Sequence, residues 1–167
     1  VYGVRLIATA DNTGNCWLTI REIEINKVDG GDVEEPTVYT GTVTFENMVI
    51  AANAAQNSSD NNVETETHYR KSAEGDDHDT IPAGATLIVT FADGGVNANK
   101  LTFAQGTSKA GDVIDSGTIE YQLVGSSEWV KAGDVTSDTK QDFVLDETQQ
   151  IQAVRVVNGA DKGVWWR

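Results

Sequence analysis

Cysteine occurs once in this chain, at Cys16, so no internal disulfide can hold the fold together. Such usage suits a cytosolic protein or one secreted from a Gram-positive cell, where disulfides are sparse. Cys16 stands beside Trp17 in an apolar strand context, which marks a buried, inert thiol and not a nucleophile. Basic residues are scarce too: 12 Lys and Arg against 26 Asp and Glu leave a net charge of −14. Without a basic cluster to neutralise phosphates, nucleic acid is excluded as a partner, and so is an anionic membrane surface. No apolar run approaches the ~18 residues that a membrane helix needs, so no insertion is expected. No signal peptide opens the chain, and Val1 reads as the middle of a strand, so the sequence is expected to come from something longer. Missing as well are Gly-x-Ser-x-Gly, His-Glu-x-x-His, the P-loop and the dinucleotide fingerprint. Carboxylates are plentiful enough for an acid/base pair, but nothing singles out two of them. The expectation is a protein that is not an enzyme.

What is present is a β pattern. Two prolines and 16 glycines in 167 residues suit many tight turns between short elements. Hydrophobic content of 39% and charged content of 23% indicate a folded domain, and the length allows one full-sized domain. Residues 4–8 form a β-branched run and residues 18–25 alternate, with the turn cluster Asp11-Asn12-Thr13-Gly14-Asn15 between them, so residues 1–26 read as a hairpin. Residues 27–37 are acidic, rich in Gly and poor in bulky apolar side chains, as in a linker extended by its own charge. Strands are then expected over 38–49, 86–91, 100–103, 118–123, 129–132, 142–145 and 151–157, separated by Gly, Asp, Asn and Ser turns. The polar stretch 53–80 is expected to hold a one-turn helix near 51–55 and then a folded loop. No stretch keeps a helical period, so residues 38–167 read as an antiparallel β-sandwich.

The two ends of the chain resemble each other. Val4-Arg5-Leu6-Ile7 matches Val154-Arg155-Val156-Val157, about 150 residues later, and in both copies a polar turn and a Trp follow, Trp17 and Trp165. This reads as the end of one module, a linker and most of a second, homologous module. After Trp17 the first copy continues with the alternating 18–25, so that segment is expected to complete the second module, within the chain or by a strand swap between chains.

Three segments carry a resemblance to a known family. Val4-Arg5 with Asn15-Cys16-Trp17-Leu18-Thr19-Ile20-Arg21-Glu22-Ile23 resembles a closing hairpin of the form VR … N-x-W-x-x-I-R-E-I. Thr118-Ile119-Glu120-Tyr121-Gln122-Leu123 with Gly125-Ser126-Ser127-Glu128-Trp129 is similar to a second family hairpin, and Thr67-His68-Tyr69-Arg70-Lys71-Ser72 to an opening T-x-W-x-S with Tyr69 for Trp. The family is that of discoidin or coagulation-factor type C domains, which includes family-32 carbohydrate-binding modules. The resemblance implies a jelly-roll β-sandwich, often with one structural calcium, that binds ligand through loops at one end. It also implies an accessory module of a secreted bacterial glycosidase acting on host glycans, hence an extracellular or cell-surface setting. Two departures stand out. Where galactose-binding members carry His after the opening Trp, this chain has Arg70, and 104–109 offers no Arg or Asn. Galactose specificity therefore does not carry over.

A sugar site needs an aromatic face and a few planar polar groups. The loops that the resemblance puts at the ligand end supply Tyr69, Arg70, Gln105, Lys109, Asn158, Asp161 and Lys162. Trp165 and Trp166 are adjacent and must face opposite ways in a strand. The match of Trp165 to Trp17 assigns Trp165 to the core and Trp166 to the outside. The ligand set is thus Tyr69, Arg70, Gln105, Asn158, Asp161 and Trp166, and Trp129 is assigned to the core. For calcium, Asp60, Asn62 and Thr67 offer oxygens near the opening motif. The acidic run Glu74-Gly75-Asp76-Asp77-His78-Asp79 fits no EF-hand spacing and reads as a solvated loop, and His68 with His78 makes a poor zinc pair. The expected function is binding of a host or cell-surface glycan. A protein-interaction or adhesion module of the same fold is the alternative, and a spacer between modules a third.

Overall fold

The computed structural model describes residues 40–60, 62, 64–71, 80–92, 94–106, 108, 109, 111–163 and 165–167, all within the unit Thr37–Arg167. The hairpin 1–26 with Cys16 and Trp17, the completing segment 18–25, the linker 27–37 and the acidic run 74–79 lie outside the described residues.

The unit is an antiparallel β-sandwich, as the sequence indicates. Its strands are β1 (Thr42–Glu46), β2 (Val49–Ala52), β3 (His68–Arg70), β4 (Thr80–Ile81), β5 (Thr86–Thr90), β6 (Val96–Ala104), β7 (Ser116–Leu123), β8 (Trp129–Thr136), β9 (Lys140–Asn158) and β10 (Lys162–Gly163). The main sheet runs β1-β5-β9-β7-β8, with β6 also paired to β9. Two small sheets, β2-β3 and β4-β10, accompany it, and an isolated bridge joins Tyr69 to Trp166 at the β3 side.

The core forms where the inner face of the main sheet meets the second layer. Phe103, Ile119, Val135, Phe143, Ile151 and Val156 from the main sheet pack in one cluster with Met48, Tyr69 and Trp166. Tyr69 meets Phe45 edge-on at 5.6 Å, and Trp166 meets Phe103 edge-on at 6.4 Å. Large rings from short strands therefore span the two layers, which is efficient burial where the strands themselves are brief.

Several elements differ from the sequence reading. The expected strand 38–49 is split: Asn47 sits at φ 59°, a conformation that Asn tolerates, and this breaks β1 from β2. The expected strands 142–145 and 151–157 are one 19-residue strand, β9: after an irregularity in register between Val144 and Gln149, pairing to β6 resumes at Gln149 and Gln150, opposite Ala98 and Asn97. Ladder hydrogen bonds do not require apolar side chains, so a polar interval need not end a strand. The helix is a 3-10 turn, Ala55–Ser59, a few residues later than 51–55. The polar stretch also contains β3, too short for periodicity to reveal.

Candidate binding site

Three segments converge at one end of the sandwich: residues 66–68 entering β3, the loop 105–112 between β6 and β7, and residues 165–167. Alternation sets their outward groups. In extended backbone Trp165 and Arg167 share one side and Trp166 takes the other, just as Glu66 and His68 share a side opposite Thr67. Trp166 is buried at 2% exposure, bridged through its backbone to Tyr69, and Trp165 is half-buried at the surface.

Around the Trp165 ring stands a connected polar rim. The Arg167 guanidinium lies 5.7 Å from the ring centroid, and the His68 ring meets the indole edge-on at 6.3 Å. Arg167 Nε and Asp112 Oδ2, both buried, form an ion pair at 2.6 Å. Arg167 also donates to Ser108 Oγ at 3.2 Å and lies 3.9 Å from Glu66. Glu66 accepts from His68 Nε2 at 2.7 Å, from the Ser108 amide at 3.1 Å and from the Ser108 hydroxyl. Because a carboxylate only accepts, Nε2 of His68 carries a proton. Burial alone would raise the pKa of Glu66, but the hydrogen bonds from Ser108 and His68 outweigh it and hold the carboxyl below its ordinary value. Backbone bonds fasten the same junction: Gly106 N to Arg167 O at 2.6 Å and Arg167 N to Asp112 O at 2.9 Å.

Such a rim can hold a ligand; as acid/base machinery it is poorly placed. Glu66 and Asp112 are both committed to donors within the protein, so neither is poised to receive or give a substrate proton. The partly exposed indole, with Arg167 and His68 beside it and the exposed Ser108 bonded to Arg167, offers an apolar plate and directional polar groups.

The expected ligand residues fall mostly elsewhere. Trp166 and Tyr69 are core rings at 2% exposure; the outward ring is Trp165, a reversal of the expected parity. The Tyr69 hydroxyl bonds Ser58 at 2.9 Å, and burial raises its pKa. Gln105 is buried as a structural clamp: its amide donates to the carbonyls of Ile114, Thr136 and Asp138 and accepts from Ile114 N at 3.0 Å. Asn158 is likewise buried, donating to Pro82 O at 2.9 Å. Asp161 is exposed and caps Ala83 N at 2.9 Å. Lys162 reaches Gly111 O, and Lys109 lies 3.7 Å from Asp112. Arg70 is half-buried at the end of β3 and follows the site in sequence. Trp129, expected in the core, lies half-buried outside the core cluster, with the Arg155 guanidinium 4.4 Å from its ring and Glu120 bonded to Arg155 at 2.7 Å. Glu66, Ser108, Asp112, Trp165 and Arg167 were not in the expected set. The i, i+2 pairs Glu66/His68 and Trp165/Arg167 were the signal for them.

The calcium residues lie on one loop but are engaged with the loop itself. Asp60 accepts from Asn62 N at 3.0 Å and Thr65 Oγ1 at 2.7 Å; Asn62 Oδ1 accepts from Glu64 N at 3.1 Å; Thr67 Oγ1 donates to Ala54 O at 2.7 Å. Among the described residues these bonds close an Asx turn in which the Asp60 carboxylate and Thr67 hydroxyl are already engaged, a donor set that does not fit the six to eight oxygens that calcium gathers. Among the described residues no group of three or more His, Cys, Asp or Glu side chains could hold a metal. Among them, too, no helix is long and apolar enough to cross a membrane. A cavity of about 470 Å³ is lined by the expected ligand residues Tyr69, Gln105 and Trp166, by Glu66 and Arg167 of the rim, and by apolar side chains such as Leu101.

The fold is thus an antiparallel β-sandwich with a ring-centred polar site. It is shared with solved carbohydrate-binding modules. Chitosan-binding module 1 from a chitosanase/glucanase of Paenibacillus sp. IK-5 superposes with a TM-score of 0.53 at 14% identity, over 77% of this chain and 92% of that one. The family 32 module of C. perfringens NanJ, solved with galactose, gives a TM-score of 0.51 at 14% identity, over 74% of this chain and 93% of that one. No protein-family profile matches the sequence. No curated protein matches it either.

Proposed function

We propose that this unit is a non-catalytic carbohydrate-binding module whose ligand stacks on Trp165. The observation that carries this reading is the partly exposed indole flanked by Arg167 and His68, with Ser108 bonded to Arg167. A pyranose presents a C–H face to an aromatic plate and hydroxyls at its rim, and this site offers both complements. The solved modules that share the fold lend support: one binds chitosan by its name and the other was solved with galactose. At 14% identity neither names the sugar bound here. The broader setting is part of the same proposal: a host or cell-surface glycan as ligand, an extracellular location, and attachment to a glycosidase.

A glycan-array screen of the purified chain, paired with Trp165→Ala, tests the reading. Selective binding that disappears in the variant is the expected result. No binding across a broad array by protein shown to be folded would overturn it and favour a protein-interaction module of the same fold.

A further inference from the structure

His68 and Arg167, which flank the Trp165 ring, both approach one carboxylate, Glu66. His68, which meets the indole edge, is bonded through Nε2 to Glu66 Oε1 at 2.7 Å. Arg167, which lies by the ring, is 3.9 Å from the same oxygen and shares Ser108 with it. Ser108, the exposed hydroxyl of the rim, is bound to Glu66 through both its amide and its hydroxyl. From this geometry we infer that Glu66 is the positioning residue of the site. It fixes the rim around Trp165 without contacting ligand, and ligand affinity therefore depends on its ionisation.

Glu66 is suited to that role. Its side chain is only 13% exposed, and its backbone carbonyl is itself held by Asn53 at 3.0 Å and Asn57 at 3.2 Å. A fixed carboxylate accepting from three groups imposes its geometry on all of them. Arg167 keeps a second anchor in Asp112, and the loop keeps its backbone bonds, so loss of the Glu66 charge should loosen the rim and leave the fold intact. Protonation would turn Oε1 or Oε2 from an acceptor into a donor facing other donors. Among the described residues, His68 from β3, Ser108 and Arg167 face Glu66, with Asp112 paired to Arg167 and Lys109 to Asp112. Because the carboxyl is held below its ordinary value, the release falls below that value, on the acid side.

The inference takes the glycan reading as its ligand, but its first test needs none. The Ser108 amide and the Trp165 indole N–H can be followed by nitrogen-proton NMR on the whole chain from pH 7 to pH 3. Both should move through one shared acid transition, and in Glu66→Gln the Trp165 resonance should start displaced and lose that transition, with little change in melting temperature. Galactose and a chitosan oligosaccharide are then titrated by calorimetry. Whichever binds should bind Glu66→Gln about tenfold more weakly at pH 7, the scale of one charge-assisted hydrogen bond. A Trp165 signal that ignores the Ser108 transition, or that still titrates in Glu66→Gln, would overturn the inference. If Glu66→Gln does not fold, the wild-type titration decides alone. Shared movement with no binding of either sugar would leave the positioning role standing and count against the glycan reading.

Discussion

Trp165 and Trp166 are neighbours with different tasks, and substitution should separate them. Trp166 is a core ring against Phe103 and Tyr69, so Trp166→Ala should cost about 3–5 kcal/mol of unfolding free energy. Trp165→Ala removes a partly exposed ring outside the core cluster and should cost roughly 1 kcal/mol or less, but should abolish sugar binding. Urea unfolding and calorimetric titration of the two variants check this; a reversed pattern would move the site to Trp166. Gln105 belongs with Trp166. Its amide answers three carbonyls, that of Ile114 buried, and one buried N–H, so Gln105→Leu should destabilise by about 2–4 kcal/mol without a direct effect on ligand contact. The sequence showed that the two tryptophans oppose each other, but the parity came from a match to Trp17, and parity depends on a register that no local signal fixes. Gln105 and Asn158 misled for a related reason. A planar amide in a loop has the same chemistry whether it turns to a sugar or to buried carbonyls, and only the packing decides.

At the scale of elements, the strands most readable in the sequence were those that cross the main sheet with apolar side chains on its inner face. Four of them, β5, β6, β7 and β8, appear where expected, although β6 and β8 run several residues longer. What the pattern could not show was a non-local cause: β3 is a strand because β2 and Trp166 pair with it. The 105–112 loop was placed at the ligand end, yet its working residues emerged only once Glu66 and Arg167 were beside it. Element packing makes its own prediction at Gly133. A Cβ there would stand 2.5 Å from Cδ1 of Phe143, a core ring on the neighbouring part of β9. Gly133→Ala should therefore destabilise by about 1–3 kcal/mol through overpacking, against the usual gain from removing a strand glycine. The midpoint in urea reports it, and an unchanged or raised midpoint would mean that Phe143 can retreat. The 54–67 loop gives a further one. Since its oxygens satisfy its own donors, excess chelator should leave the melting temperature within about 1 °C, whereas a site contributing at 100 times its Kd would add ~2.7 kcal/mol and be plain.

For the whole molecule, charge governs the response to pH and salt, and two opposing terms can be told apart. Net −14 makes the folded state repel itself at low ionic strength, so protonating scattered carboxylates should first raise stability as pH falls from 8 towards 5. Glu66 acts the other way. Its folded pKa lies below the ordinary 4.5, so its contribution is full above that value and is lost as pH drops through the folded one. Asp142, lowered first by its bond from Thr102, follows the same sign at an exposed position. Melting temperature should thus pass through a maximum near pH 5 at about 10 mM salt, and about 0.5 M salt should flatten the alkaline side and leave the acid fall. Ligand binding should not share this salt dependence. Trp165 stacking and hydroxyl contacts to an uncharged sugar release no counterions, and the carboxylates of the rim are already paired with Arg167, Lys109 and His68. Sugar affinity at pH 7 should therefore vary by less than about twofold between 20 mM and 0.5 M salt. A protein partner drawn to so acidic a chain would lose on-rate steeply over the same range. A steep fall in affinity with salt would accordingly point to recognition by charge, and so to the protein-interaction alternative.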